Sequence, residues 1–310
     1  MAHPGRMSSD DLVIAAVDGS DHSLKALDWA LAAAQFRGTE VLAVHVGSGD
    51  TAAPATVHPA SVSPAFDRDL VRRRISEHID GRTGLPPLSY TAVNGPVAGT
   101  LAEVAQNATL LVLGSRGLGG FRSLLLGSVG RKSAAHAPCP VVIVPGDDRA
   151  AEPVPPGGHG LVVLGVEPDE TDDDVVEFAF AEAQRRGARL QTVSTFLVPL
   201  TALAVVGELA VVDTNDPEAP SAISELGDLQ ATRLEPFRAR YPDVAVQPVV
   251  RAVDPAGQLV DASVNADLVV VGRHRRRLRA DTMVMGSVTN AVVAHAHGPV
   301  AIVPPGERAE

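Results

Sequence analysis

Short aliphatic runs alternate with longer amphipathic stretches along the chain. In the first half the runs Leu12–Val17, Val41–Val46, Leu88–Val93, Leu110–Leu113 and Val141–Val144 are mostly bounded by polar, Gly or Pro residues, which predicts strands. The stretches between them, Asp21–Phe36, Pro64–Asp80, Pro96–Asn107 and Ser128–His136, predict helices. In the first of these Leu24, Leu27, Leu31 and Ala34 recur at three and four residues, the period of one helix face. The order βαβαβαβαβ predicts an α/β fold with a doubly wound, Rossmann-like parallel sheet. Continuous Val, Leu and Ile runs, rather than strict alternation, suit strands buried on both faces.

The second half repeats the pattern, with Leu161–Val166, Leu190–Thr195, Val244–Val250, Leu268–Val271 and Val300–Val303 as strands. The repetition extends to identities. Residues 127–146 (GSVGRKSAAHAPCPVVIVPG) and 286–305 (GSVTNAVVAHAHGPVAIVPP) share eleven of twenty positions without a gap. Asn107–Gly114 parallels Asn265–Gly272, and Val13–Asp18 parallels Val162–Glu167. Three matched blocks in one order mean a duplicated domain. Gly146 to His159, rich in Gly, Pro and charge, reads as the linker, so the domains are expected at 1–150 and 156–310. The second copy carries an apolar, then acidic insertion at 197–220 that the first copy lacks.

Composition narrows the function. The 310 residues fit two domains of ordinary size. With a formal charge of −11, generic nucleic-acid binding by counterion release is not expected. The one cysteine, Cys139, leaves no partner for an intrachain disulfide and no all-cysteine metal site. Met1 to Asp11 is polar, and no apolar run reaches bilayer-spanning length, so a cytoplasmic protein with no membrane partner is the expectation.

The chemistry-bearing motif follows Leu110–Leu113. Gly114-Ser115-Arg116-Gly117, nine residues, then Gly127-Ser128-Val129 spell G-x2-G-x9-G-S. Gly114 and Gly117 permit close backbone approach to a ligand at a strand's carboxyl end. Gly127-Ser128 opens a helix whose free N–H groups attract anions, and the Ser128 hydroxyl can cap that helix or bond a phosphate oxygen. Asp18, at the end of the first strand, can face the same crevice.

This combination resembles the universal stress protein family, whose ATP-binding signature is matched in full at 114–128, together with Val17-Asp18-Gly19-Ser20 and Val44-His45-Val46. The resemblance implies two tandem domains of adenine-nucleotide alpha-hydrolase-like fold, paired through their last strands, Pro140–Pro145 and Pro299–Pro304, as a pseudo-dimer. It implies that Asp18 faces an adenine nucleotide and that Ala16 lines its pocket. Val46 would contact adenine through its backbone, while Gly114, Gly117, Gly127, Ser128 and Val129 hold phosphates and ribose, with Ser115 and Arg116 between them. ATP is the implied ligand, with Mg2+ carried on its phosphates; a homodimer and an unidentified protein partner are implied as well.

The second copy departs from the signature. Glu167 replaces the strand-end Asp, and Arg275 stands where the second Gly belongs. Gly286, Ser287 and Val288 arrive one residue late relative to Gly272. Arg275 either blocks approach or supplies a cation. The run Arg273–Arg279 lies in an acidic chain without nearby aromatics, which reads as a solvated or phosphate-facing loop rather than a nucleic-acid site. No G-x4-G-K-[ST] loop or Ser/His/Asp nucleophile arrangement is present, so the expectation is ATP binding in stress response or signalling with at most slow hydrolysis. The competing reading is a scaffold with vestigial nucleotide sites.

Overall fold

The structure, a computed structural model, describes residues 12–47, 64–117, 126–146, 158–196, 219–273 and 285–306. Its elements fall into two compact units, one per copy. The first holds β1 (Leu12–Ala16), α1 (Asp21–Arg37), β2 (Val41–Gly47), α2 (Pro64–Ile79), β3 (Leu88–Asn94), α3 (Val97–Val104), β4 (Ala108–Gly114), α4 (Ser128–His136) and β5 (Val141–Val144). The second holds β6 (Leu161–Gly165), α5 (Asp173–Arg186), β7 (Arg189–Thr195), α6 (Ala219–Arg240), β8 (Val246–Arg251), α7 (Pro255–Ala262), β9 (Leu268–Gly272), α8 (Ser287–His295) and β10 (Val300–Val303). Of the insertion 197–220, residues 197–218 lie outside the described residues, as do residues 274–279 of the arginine run.

Within the first unit every strand pair is parallel and the order is β3-β2-β1-β4-β5. The chain runs outward from β1 to β3, then crosses back to β4. That reversal leaves a crevice beyond the carboxyl ends of β1 and β4, where open α/β sheets bind ligands. The second unit has the same order, β8-β7-β6-β9-β10.

Burial explains the aliphatic runs. Val13, Ile14, Leu110, Leu111, Val112, Val141 and Val142 are fully buried, as are Val162, Val163, Leu164 and Val269 in the second unit. Helix α1 covers the sheet with Leu24, Leu27, Ala30, Leu31 and Ala34, the period visible in the sequence. It ends at Gly38, whose φ of 65° is the left-handed conformation that Gly adopts without a Cβ penalty. α5 stops the same way at Gly187, with φ 58°.

Candidate functional site

At the end of β1 the chain folds a turn that fixes one carboxylate. Asp18 Oδ1 accepts hydrogen bonds from the Ser20 backbone N (3.0 Å) and Oγ (2.6 Å). Ser20 is the N-cap of α1, its Oγ accepting from Ser23 N at 3.3 Å. Ser23 Oγ in turn accepts from Asp18 N (3.3 Å) and donates to Ser20 O (2.8 Å). Gly19, with φ 83°, makes the reversal possible. One residue earlier, buried His45 at the end of β2 bonds the Val17 carbonyl through Nδ1 at 2.9 Å. A carbonyl only accepts, so Nδ1 carries the proton there.

The glycine loop meets this turn from β4. Ser115 N donates to Val144 O, and Gly127 N donates to Ser115 O, each at 2.8 Å, which brings the start of α4 to the end of β4. A Cβ at Gly114 would stand 2.7 Å from the His22 carbonyl oxygen in the first turn of α1. A Cβ at Gly117 would stand 2.3 Å from Asp18 Oδ2. Gly127 differs: its φ of −67° suits any residue, and the nearest atom to an added Cβ is 3.6 Å away. The fold itself therefore requires glycine at 114, where backbone stands in the way; at 117 an added Cβ meets a side-chain end, and at 127 nothing closer than 3.6 Å.

Of the two roles expected for Ser128, capping of α4 is corrected: the N-cap is Gly127, no side chain among the described residues caps the first turn, and Ser128 is exposed. Val129 lies in that uncapped turn, where backbone N–H groups point off the helix end. Ser115 Oγ is buried, with no hydrogen-bond partner among the described residues. Arg116, Ala16 and Val46 are half-buried. Ala16 ends β1 against Val44, and Val46 stands one residue before the end of β2 against Val93. The residues expected at the first site thus gather at the ends of β1, β2 and β4 and the start of α4.

The second copy keeps the frame and changes the contents. Ser194 takes the place of His45, donating to Val166 O at 2.7 Å, and Gln230 from α6 donates to Ser194 Oγ at 2.7 Å. The connection from β6 to α5 runs from Val166 to Asp172, three residues longer than Val17 to Ser20. Its extra residues turn back on Glu167, whose N donates to Thr171 Oγ1 at 2.8 Å, and Glu167 is exposed. Asp169, Glu170 and Asp172 add further negative charge. Gly272 faces Val175 Cγ2, 3.3 Å from an added Cβ, rather than a helix backbone. Gly286 again caps without a side-chain bond and Ser287 is exposed, but Thr289, next to Val288, stands where α4 has Gly130; its Oγ1 donates to Gly272 O at 2.9 Å. Arg273, the first residue of the run expected in a solvated or phosphate-facing loop, is 8% exposed and so not solvated; its N joins the sheet through Val303 O at 2.8 Å.

Sequence reading missed the roles of Ser20, Ser23 and His45. The first two carried a signal, since Asp-x-Ser-x-x-Ser before an apolar-periodic stretch is a helix-start pattern.

The universal stress protein family model matches residues 11–145 and again 160–304. Universal stress protein Rv2005c of Mycobacterium tuberculosis is 33% identical over 298 residues, covering 94% of this chain and 96% of the relative. Universal stress protein Rv2623 of the same organism is 30% identical over 296 residues, covering 94% and 95%. Among solved structures, a universal stress protein from Archaeoglobus fulgidus matches with a TM-score of 0.62 at 16% identity, covering 97% of this chain and all of that one, a likeness of fold. With the signature loop, the parallel five-strand order in each unit and two family matches end to end, this chain belongs to the universal stress protein family as a tandem, two-domain member.

Proposed function

We propose that the first half binds one ATP per chain in the crevice between the Asp18 turn, Gly114–Gly117 and the start of α4, and that nucleotide occupancy makes the chain a regulator in stress response or signalling. The observation that carries this reading is the seating of Asp18 Oδ2 against Gly117, beside the uncapped start of α4. A cradle that a single Cβ would fill leaves backbone exposed for close approach, and an uncapped helix start favours anionic oxygens. Ser115 Oγ, without a hydrogen-bond partner among the described residues, and the steric freedom at Gly127 fit the same use. In this reading Gly114, Gly117, Gly127, Ser128 and Val129 hold the phosphates and ribose, and Ala16 and Val46 flank the base. Mg2+ enters on the phosphates.

Slow turnover at most follows from how Asp18 is held. Its Oδ1 already accepts two hydrogen bonds from Ser20, which suits an orienting carboxylate better than a general base. The second half is read as lacking ATP. Its longer acidic connection carries Glu167 outward, and negative charge there opposes a polyphosphate. The same proposal includes a cytoplasmic location, a homodimer and a partner protein that senses the crevice loops through a shift in their populations.

Calorimetric titration of the intact chain with Mg-ATP tests the reading. One site per chain, abolished in Gly117→Glu while the circular dichroism is retained, is the expected result. Absence of binding by the intact chain contradicts it and leaves the scaffold reading, which the altered second crevice favours.

A further inference from the structure

The duplication supplies a comparison inside one chain. Helices α2 and α6 follow equivalent strands, and each sends an arginine to the first residue of the preceding helix: Arg74 Nη2 to Asp21 Oδ1 at 2.8 Å, and Arg233 Nη2 to Asp173 Oδ1. The two cations are committed to different degrees. Arg233 also donates to the Thr171 carbonyl at 2.8 Å and lies over the Phe237 ring, 5.5 Å from its centroid. Its side chain is 21% exposed. Among the described residues Arg74 makes a single bond, to a carboxylate that is 95% exposed, and Arg74 itself is 42% exposed. So open an ion pair contributes little to stability.

The position of Arg74 is informative where its pairing is not. Arg74 Cγ and Val71 Cγ2 lie 4.0 and 3.5 Å from where a Cβ on Gly19 would be, so α2 rests on the turn that holds Asp18. Asp21, the anchor of the guanidinium, precedes His22, whose carbonyl oxygen is the atom that a Cβ on Gly114 would meet first. The guanidinium therefore stands beside the turn that holds Asp18, bonded to the residue that precedes His22. A rigid five-donor fork with one bond to an exposed carboxylate is well suited to exchange that partner for phosphate oxygens.

We propose that Arg74 is a phosphate-binding cation of the first crevice, held by Asp21 and transferred to the polyphosphate when nucleotide binds. The assignment rests on the reading of the first half as an ATP site. Arg233, fixed by Thr171, Asp173 and Phe237, has no such freedom, which adds to the difference between the two crevices.

Affinities for ATP, and for adenosine by displacement of labelled ATP, measured on the intact chain and on Arg74→Ala, Asp21→Asn and Arg233→Ala, test the assignment. Arg74→Ala should weaken ATP roughly tenfold, the size of one hydrogen bond to a charged group, and leave adenosine unchanged. Asp21→Asn should tighten ATP severalfold, because it releases the guanidinium. Arg233→Ala should leave ATP binding as it is. Equal losses for ATP and adenosine in Arg74→Ala, or weaker ATP binding in Asp21→Asn, would make the pair a structural latch and overturn the proposal. Unchanged ATP binding in Arg74→Ala, with binding by the intact chain, removes Arg74 alone. If the intact chain binds neither ligand, the reading of the site itself fails.

Discussion

Asp18 Oδ2 occupies the space in which a side chain on Gly117 would begin, since a Cβ there would lie 2.3 Å away. The carboxylate is not free to swing clear, because Oδ1 is held by Ser20 N and Oγ. Gly117→Ala must then displace either the loop or the two bonds. The expected outcome is a loss of ATP affinity of about tenfold or more, with a stability loss of about 1 kcal/mol, since the collision is with a side-chain end. Gly114→Ala meets the His22 backbone instead, at 2.7 Å from O and 2.9 Å from C. It should destabilise folding by about 1–3 kcal/mol, because backbone has to move. Thermal unfolding and ATP titration of the two variants separate these effects.

In the second unit Gln230 is 1% exposed and bridges Thr192 and Ser194, accepting from Thr192 Oγ1 at 3.1 Å and donating to Ser194 Oγ at 2.7 Å. Gln230→Leu leaves the Thr192 hydroxyl buried without that acceptor. A loss of about 1–3 kcal/mol is expected in chemical denaturation. ATP binding by the first half should be unaffected.

Much of this architecture was legible from residue pattern. β5, α4 and β10 have the bounds that Pro, Gly and the apolar runs predict. Where bounds differ, long-range bonds decide. β4 begins at Ala108, two residues before its apolar run, because Ala108 pairs with Leu12 and Thr109 Oγ1 donates to Leu12 O at 3.2 Å. β8 begins at Val246 rather than Val244, whose N instead donates to Tyr241 O at 3.1 Å behind α6. Pro96–Asn107 divides into α3 and a 3-10 turn at Ala105–Asn107, where the chain bends into β4. At the site, the glycines and Asp18 were readable because they stand at short, regular spacing directly after strand-forming runs. Arg74 was not, because it reaches Asp21 across 53 residues and no local pattern marks that distance. The burial of Arg273 was hidden for a related reason: a run of arginines reads as solvated until the sheet bond of its first member is known.

Tyr241 supplies a pH-dependent term in the second unit. Burial, then its hydrogen bond to Glu177 and the charge of that carboxylate, raise its hydroxyl above the ordinary value of 10.0. A raised folded-state value means that the unfolded chain releases this proton first. Stability from this group is therefore intact below pH 10 and falls as the pH rises through the folded value. Denaturation midpoints should decline in that window, and Tyr241→Phe should flatten the decline while lowering stability at neutral pH by about 1 kcal/mol through loss of the Glu177 bond.

The proposal that the first crevice, beyond the carboxyl ends of β1 and β4, holds ATP has a direct stoichiometric consequence. It is tested most directly by quantifying nucleotide released on acid quenching of the purified intact chain, with mass spectrometry to identify it. About one ATP per chain is expected, and none from Gly117→Glu. Two per chain would show that the acidic second crevice also binds. None from the intact chain, with no binding on titration, would contradict the claim.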